Sequence, residues 1–259
     1  MLDNIINMRD TLSIRQEVYD NLKNQAEPIV ITNENFSGKS FWTLETAERI
    51  AENLHGAFPD AKVIIIIREQ LAYLLSAYKY MIYTGHYAPS FKQFIEKSLG
   101  SILEKLCYDR VISLYFSLFG HENVCVMPVE HLKESREGFY IRLDDFTRLE
   151  TNKSGYKVVD NISPRSWEYI EFLRRANIVL RYLASAERVV RRRFVDNTLE
   201  GSAHKIILYR LLVDAFAGYF QDSHYQGEIL DSESQRVVHL SNMKTMKLTG
   251  LELDTYSYL

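Results

Sequence analysis

The segment Lys62–Glu69, KVIIIIRE, places five β-branched residues in succession, Val63 to Ile67, and follows them at once with an arginine. β-Branched side chains are stiff at χ1 and crowd the turns of a helix, so this run belongs in a strand. It has no polar alternation, which predicts cover on both faces, as at the centre of a parallel sheet. Two more short apolar runs predict strands, Ile29 to Thr32 and Val124 to Val129. Pro128 offers no N–H to a ladder, so the third strand is expected to lie at an edge or to end there.

Helical periodicity separates these runs. Leu44, Ala47, Ile50, Ala51 and Leu54 form one apolar stripe, and Leu71, Leu74, Leu75, Tyr78 and Ile82 form another directly after the β-branched run. A third helix is expected from Ser101 to Leu118, and from Ser166 onward the pattern is mainly helical. The polar, aperiodic stretch from Arg148 to Asp160 reads as a loop. Strands alternating with helices predict an α/β fold with a largely parallel sheet and an α-rich C-terminal part. Residues 1–259 are expected to form a single domain.

Composition narrows the functional classes. A net charge of -3 does not mark a nucleic-acid binder. Cys107 and Cys125 are too few for a disulfide framework and sit in apolar surroundings, so both are expected to be reduced and buried. The seven histidines are scattered, and no metal is implied. No apolar run is long enough for a membrane span and no signal-peptide pattern opens the chain, so the expectation is a soluble, cytoplasmic protein.

Two segments could carry chemistry. VITNENFSGKSFW, Val30 to Trp42, holds Gly-Lys-Ser after an apolar run. A Walker loop needs glycine five residues before its Gly-Lys pair, and Asn33 stands there, with Glu34 beside it to repel phosphate. A bare Gly-Lys-Ser is a weak motif, and a turn at Ser37 and Gly38 ahead of a helix is the bland explanation of the tripeptide. The second segment starts at Arg68, which falls at the carboxyl end of its strand, where α/β sheets bind ligands. Ser76 follows eight residues on, and Ala72, Ser76, Lys79 and Tyr83 share a helix face. A guanidinium fork and a hydroxyl suit a phosphate monoester; the competing reading is an internal ion pair and a solvated serine.

The segment KVIIIIREQLAYLLSAYKYMIYTG resembles the nucleotide-binding segment of sulfotransferases that use 3′-phosphoadenosine 5′-phosphosulfate, with Arg68, Ser76 and Tyr78 at the matching positions. Gln70 stands where many members have proline. FGHENVCVMPVEHLKES is similar to a later stretch of that family through Phe119, Gly120, Val126, Glu130 and Leu132. TGLELDTYSYL is similar to the tail of bacterial members acting on surface carbohydrates, through Gly250, Leu251, Leu253, Tyr256 and Tyr258.

The resemblance implies a three-layer parallel sheet of the P-loop type and a carbohydrate hydroxyl as acceptor. It implies that Arg68 and Ser76 bind the 3′-phosphate and that Glu34 is the base. The bland reading of Glu34 is a surface acid or a helix cap. The family's 5′-phosphosulfate loop is not found in the residues before Glu34. The alternative expectation is therefore a truncated or non-catalytic nucleotide-binding or interaction protein. Loss of a central strand would expose a sheet edge and favour self-association into a homo-oligomer, or instability.

RRANIVLRYLASAERVVRRR, Arg174 to Arg193, holds seven arginines and one acid, with Arg174, Arg181 and Arg188 on one helical face. Its two readings are a solvated face with partners elsewhere in the chain, or a clamp for phosphates or an anionic glycan.

Overall fold

The computed structural model describes residues 30–32, 44–85, 87–149, 167–178, 181 and 230–258. The described part is mostly helical, with a small parallel sheet of two strands. In chain order the elements are α1 (Leu44–Ala57), β1 (Val63–Ile67), α2 (Gln70–Tyr83), α3 (Phe91–Leu106) and α4 (Tyr108–Phe119). They continue with β2 (Val124–Pro128), α5 (Val129–Glu134), α6 (Arg136–Thr147), α7 (167–178) and α8 (Ser232–Thr249). Short 3-10 turns lie at His121–Asn123 and Leu253–Tyr256. Two compact units share the chain: one drawn from Met1–Tyr73, Ile95–Gly155 and Leu230–Leu259, the other from Leu74–Phe94 and Tyr156–Ile229.

The first unit holds the sheet. β1 and β2 pair in parallel from Val63 opposite Val124 to Ile67 opposite Pro128. Parallel neighbours cannot be joined by a tight turn, and three helices make the crossover. Pro128 ends its strand, as its missing N–H requires. One face of the sheet carries Val63, Ile65, Ile67, Val124 and Val126 into a core with Ala51, Ile112, Tyr115, Phe116 and Phe119. Leu251, Leu253 and Tyr258 of the C-terminal tail complete that core. On the other face Cys125 and Met127 pack with Phe139, Leu132, Leu143 and Phe146. Both cysteines are buried and free.

β2 is thus covered on both sides, while the β-branched run is not. Ile64 and Ile66 are 37% and 48% exposed. This corrects the expectation of a fully buried β1: apolar residues on both faces permit double cover, but neighbours must supply it. Residues 30–32 carry no strand, and Val30 is 75% exposed. A four-residue apolar run needs a ladder partner, and the described residues pair none with it.

The helix expected from Ser101 to Leu118 is two helices, α3 and α4, broken at Cys107. At the break Gln70 reaches the carbonyl of Leu106 with its side-chain amide, at 3.5 Å, taking an acceptor that a continuous helix would satisfy itself. The turn from α4 into β2 is made by Gly120 at φ +82°. α6 is capped by the Ser135 hydroxyl, which accepts from Gly138 N–H, and ends with Arg148 in the left-handed region. Of the expected loop from Arg148 to Asp160, residues 150–160 lie outside the described residues.

The second unit gathers aromatic rings around Tyr78, which is 1% exposed. Its ring stacks on Trp167 at 5.8 Å and meets Phe91 edge-on at 5.0 Å, and its hydroxyl donates to the Pro89 carbonyl. Asn177, also buried, donates to the carbonyls of Ile82 and Tyr87 and so closes the C-terminal end of α2.

Candidate functional site

The carboxyl ends of β1 and β2 bring Arg68, Glu69, Tyr108, Glu130 and Tyr258 into one hydrogen-bonded group. Arg68 follows the last residue of β1, and its carbonyl accepts a 2.6 Å bond from the Tyr108 hydroxyl. The next N–H, that of Glu69, donates to Glu130 Oε1 at 3.1 Å. Glu130 lies two residues past the end of β2, and its Oε2 accepts from the Tyr258 hydroxyl at 3.0 Å. Burial raises the pKa of both phenols, and the Glu130 carboxylate adds to the effect at Tyr258. Both therefore stay protonated donors at neutral pH.

Glu69 starts α2. Its two carboxylate oxygens accept from Leu71 N–H and Ala72 N–H, each at 2.7 Å, satisfying orphan donors of the first turn. Gln70, fully buried, forms a reciprocal amide pair with Asn242 of α8, 2.6 Å from Gln70 Nε2 to Asn242 Oδ1. A proline at 70 would have no side-chain amide for this pair or for Leu106. Arg68 itself keeps Nε buried with no hydrogen-bond partner among the described residues. A buried guanidinium donor left unpaired is costly, and an anion at the strand ends would relieve it.

Ser76 lies on α2 with its side chain exposed, in the second unit, whereas Arg68 belongs to the first. Tyr78, the third position of the resemblance, is the aromatic hub of the second unit. Glu34 lies outside the described residues, as does the Gly38–Ser40 tripeptide. Arg174 is held by Glu171 at 2.6 Å and donates to the Ala88 carbonyl, while Arg181 donates to the Gly85 carbonyl at 3.3 Å. For these two arginines, partners within the chain are what the fold provides; Arg188 lies outside the described residues.

Tyr108 and Glu69 carry no motif, and sequence reading passed over them. Glu130 and Tyr258 entered only as positions in a resemblance. The available signal was local: Glu130 directly follows the strand predicted over Val124 to Val129.

Among the described residues no group of three or more His, Cys, Asp or Glu side chains could hold a metal ion, and no helix is long and apolar enough to cross a membrane. No protein-family model, curated protein or solved structure matches the chain.

Proposed function

We propose that this chain binds 3′-phosphoadenosine 5′-phosphosulfate and moves its sulfuryl group to a hydroxyl of a carbohydrate. The observation that carries the reading is Arg68: a cation at the carboxyl end of a parallel strand, its buried Nε without a partner among the described residues. The residues present fit the 3′-phosphate, because an arginine fork matches phosphate oxygens and the two nearby carboxylates are occupied by N–H and O–H donors. Ser76 is assigned the second contact to that phosphate. Glu34 is assigned the base: it takes the acceptor proton as the acceptor oxygen bonds to sulfur and the bond from sulfur to the 5′-phosphate oxygen breaks. Adenosine 3′,5′-bisphosphate leaves.

The proposal includes a wider three-layer sheet of the P-loop type, of which β1 and β2 are two strands. It also includes a cytoplasmic setting and self-association through an open sheet edge.

Calorimetric titration of adenosine 3′,5′-bisphosphate tests the assignment. Micromolar binding to the wild type, weakened about 30-fold or more in Arg68→Ala, is the expected result for a lost charge-assisted contact. A folded wild type that does not bind the nucleotide would overturn the reading. Binding without turnover on any glycan acceptor would favour the non-catalytic nucleotide-binding alternative.

A further inference from the structure

We propose that Glu130 is a positioning residue for Arg68, and that the C-terminal tail acts on the nucleotide site through it by way of Tyr258. This rests on the assignment of Arg68 to the 3′-phosphate. The carbonyl of Arg68 and the N–H of Glu69 belong to the same peptide group. Tyr108 holds the oxygen end of that group and Glu130 holds the nitrogen end. A planar peptide pinned at both ends has no freedom to rotate, so ψ of Arg68 is set, and with it the origin of the arginine side chain.

Side chains do this work because the ladder cannot. Ile67 lies opposite Pro128, which has no N–H to continue the pairing. The peptide after Arg68 is therefore beyond the reach of the sheet. Glu130, the second residue of α5, takes over, and Tyr258 anchors the free oxygen of its carboxylate. The tyrosine is in turn seated in the core by Leu251 and Leu253 on its own segment. The path from tail to arginine is Tyr258 to Glu130 to the peptide of Arg68, each step a hydrogen bond of 3.0 or 3.1 Å.

The effect of Glu130 on an anion has two parts of opposite sign. Its negative charge works against a phosphate nearby, while its grip on the peptide favours one. Removing the charge alone and removing the grip therefore give different results. Glu130→Gln keeps an oxygen for Glu69 N–H and turns its amide toward the Tyr258 oxygen. Glu130→Ala loses both bonds. Tyr258→Phe keeps the buried ring and loses one.

The test is the ratio of affinities for adenosine 3′,5′-bisphosphate and adenosine 5′-monophosphate, measured by calorimetry on the full chain. General destabilisation lowers the competent fraction for both nucleotides alike and leaves the ratio unmoved. The wild type prefers the bisphosphate. In Glu130→Ala that preference falls about tenfold, and in Tyr258→Phe roughly threefold, as expected for the loss of one or two hydrogen bonds that order the site. Glu130→Gln retains or raises it, because it keeps the grip and loses the charge.

A preference that rises in both Glu130 variants means that only the charge mattered, and overturns the positioning role. An unchanged preference in all variants overturns it too. Should Glu130→Ala fail to fold, Tyr258→Phe decides by the same ratio. A wild type that binds neither nucleotide removes the functional reading itself. That outcome is distinct from a wild type that discriminates and variants that discriminate equally.

Discussion

Leu253→Ala is the substitution that asks most directly whether the C-terminal tail is part of the core. Leu253 is completely buried, against β1, β2 and α4. Truncation removes roughly three carbon groups at about 0.8 kcal/mol each, about 2.4 kcal/mol of lost transfer energy. The cavity left behind adds to this, because strands and helix relax only in part, and the total comes to about 3 kcal/mol. For a chain of this size that corresponds to a fall in Tm of roughly 6–12 °C. Urea unfolding followed by circular dichroism reads the midpoint and the slope; the midpoint drops and the slope stays. Leu248→Ala is the control, since Leu248 is 36% exposed on α8 and its loss costs about 0.5 kcal/mol or less. A Leu253→Ala chain within about 0.5 kcal/mol of wild type would refute the placement of the tail. It would also remove the support on which Tyr258 reaches Glu130.

Gly120→Ala is expected to cost about 1–3 kcal/mol, because φ +82° with ψ 153° is glycine territory. An added Cβ would also lie 2.8 Å from Glu122 Oε1, so pairing the change with Glu122→Ala recovers only the clash and not the backbone strain, as paired Tm measurements would show. Lys105 gives a pH dependence. Burial lowers its pKa to about 8. Between that value and the usual lysine range the unfolded chain binds the extra proton, so stability rises with pH across the window. As pH falls through 8 the folded chain must carry the buried charge, and this gain is lost. Lys105→Met should flatten the slope in a series of melts from pH 7.5 to about 10. Above the usual tyrosine range the raised phenols Tyr108 and Tyr258 act in the opposite sense, since the unfolded chain then loses protons that the folded chain keeps.

Much of the secondary structure was legible because it is local. The stripe through Ala47, Ile50 and Ala51 emerged as the buried face of α1, and the β-branched run became β1 with the expected bounds. Pro128 stopped its strand where its chemistry said it should. The break at Cys107 was not legible, because the group that covers the Leu106 carbonyl is Gln70, 36 positions away. Nor was the uncovered face of β1. Ile64 and Ile66 are as apolar as their neighbours, and exposure depends on what other segments pack there.

The candidate site divides in the same way. Arg68 could be picked from sequence, since a residue directly after a strand in an α/β pattern has a known place. Its surroundings could not. Glu130 lies 61 positions from Glu69 and Tyr258 lies 128 from Glu130, and no periodicity links such pairs. The competing view, that Arg68 is taken up by a nearby acid, was the stronger one on spacing alone. The acids beside it prove to be occupied by N–H and O–H donors, while its own Nε has no partner among the described residues.

Sequence alone determined that Val63–Ile67 is a strand with helices on either side, that a second strand stops at Pro128, and which cation stands at a strand end. These are consequences of side-chain shape and backbone freedom over a few residues. Tertiary structure alone decided that the tail enters the core, that Gln70 pairs with Asn242, and that one peptide after Arg68 is held from both ends. Those outcomes depend on which distant groups arrive at the same place. A hydrogen bond across 61 or 172 positions leaves no trace in the residues between.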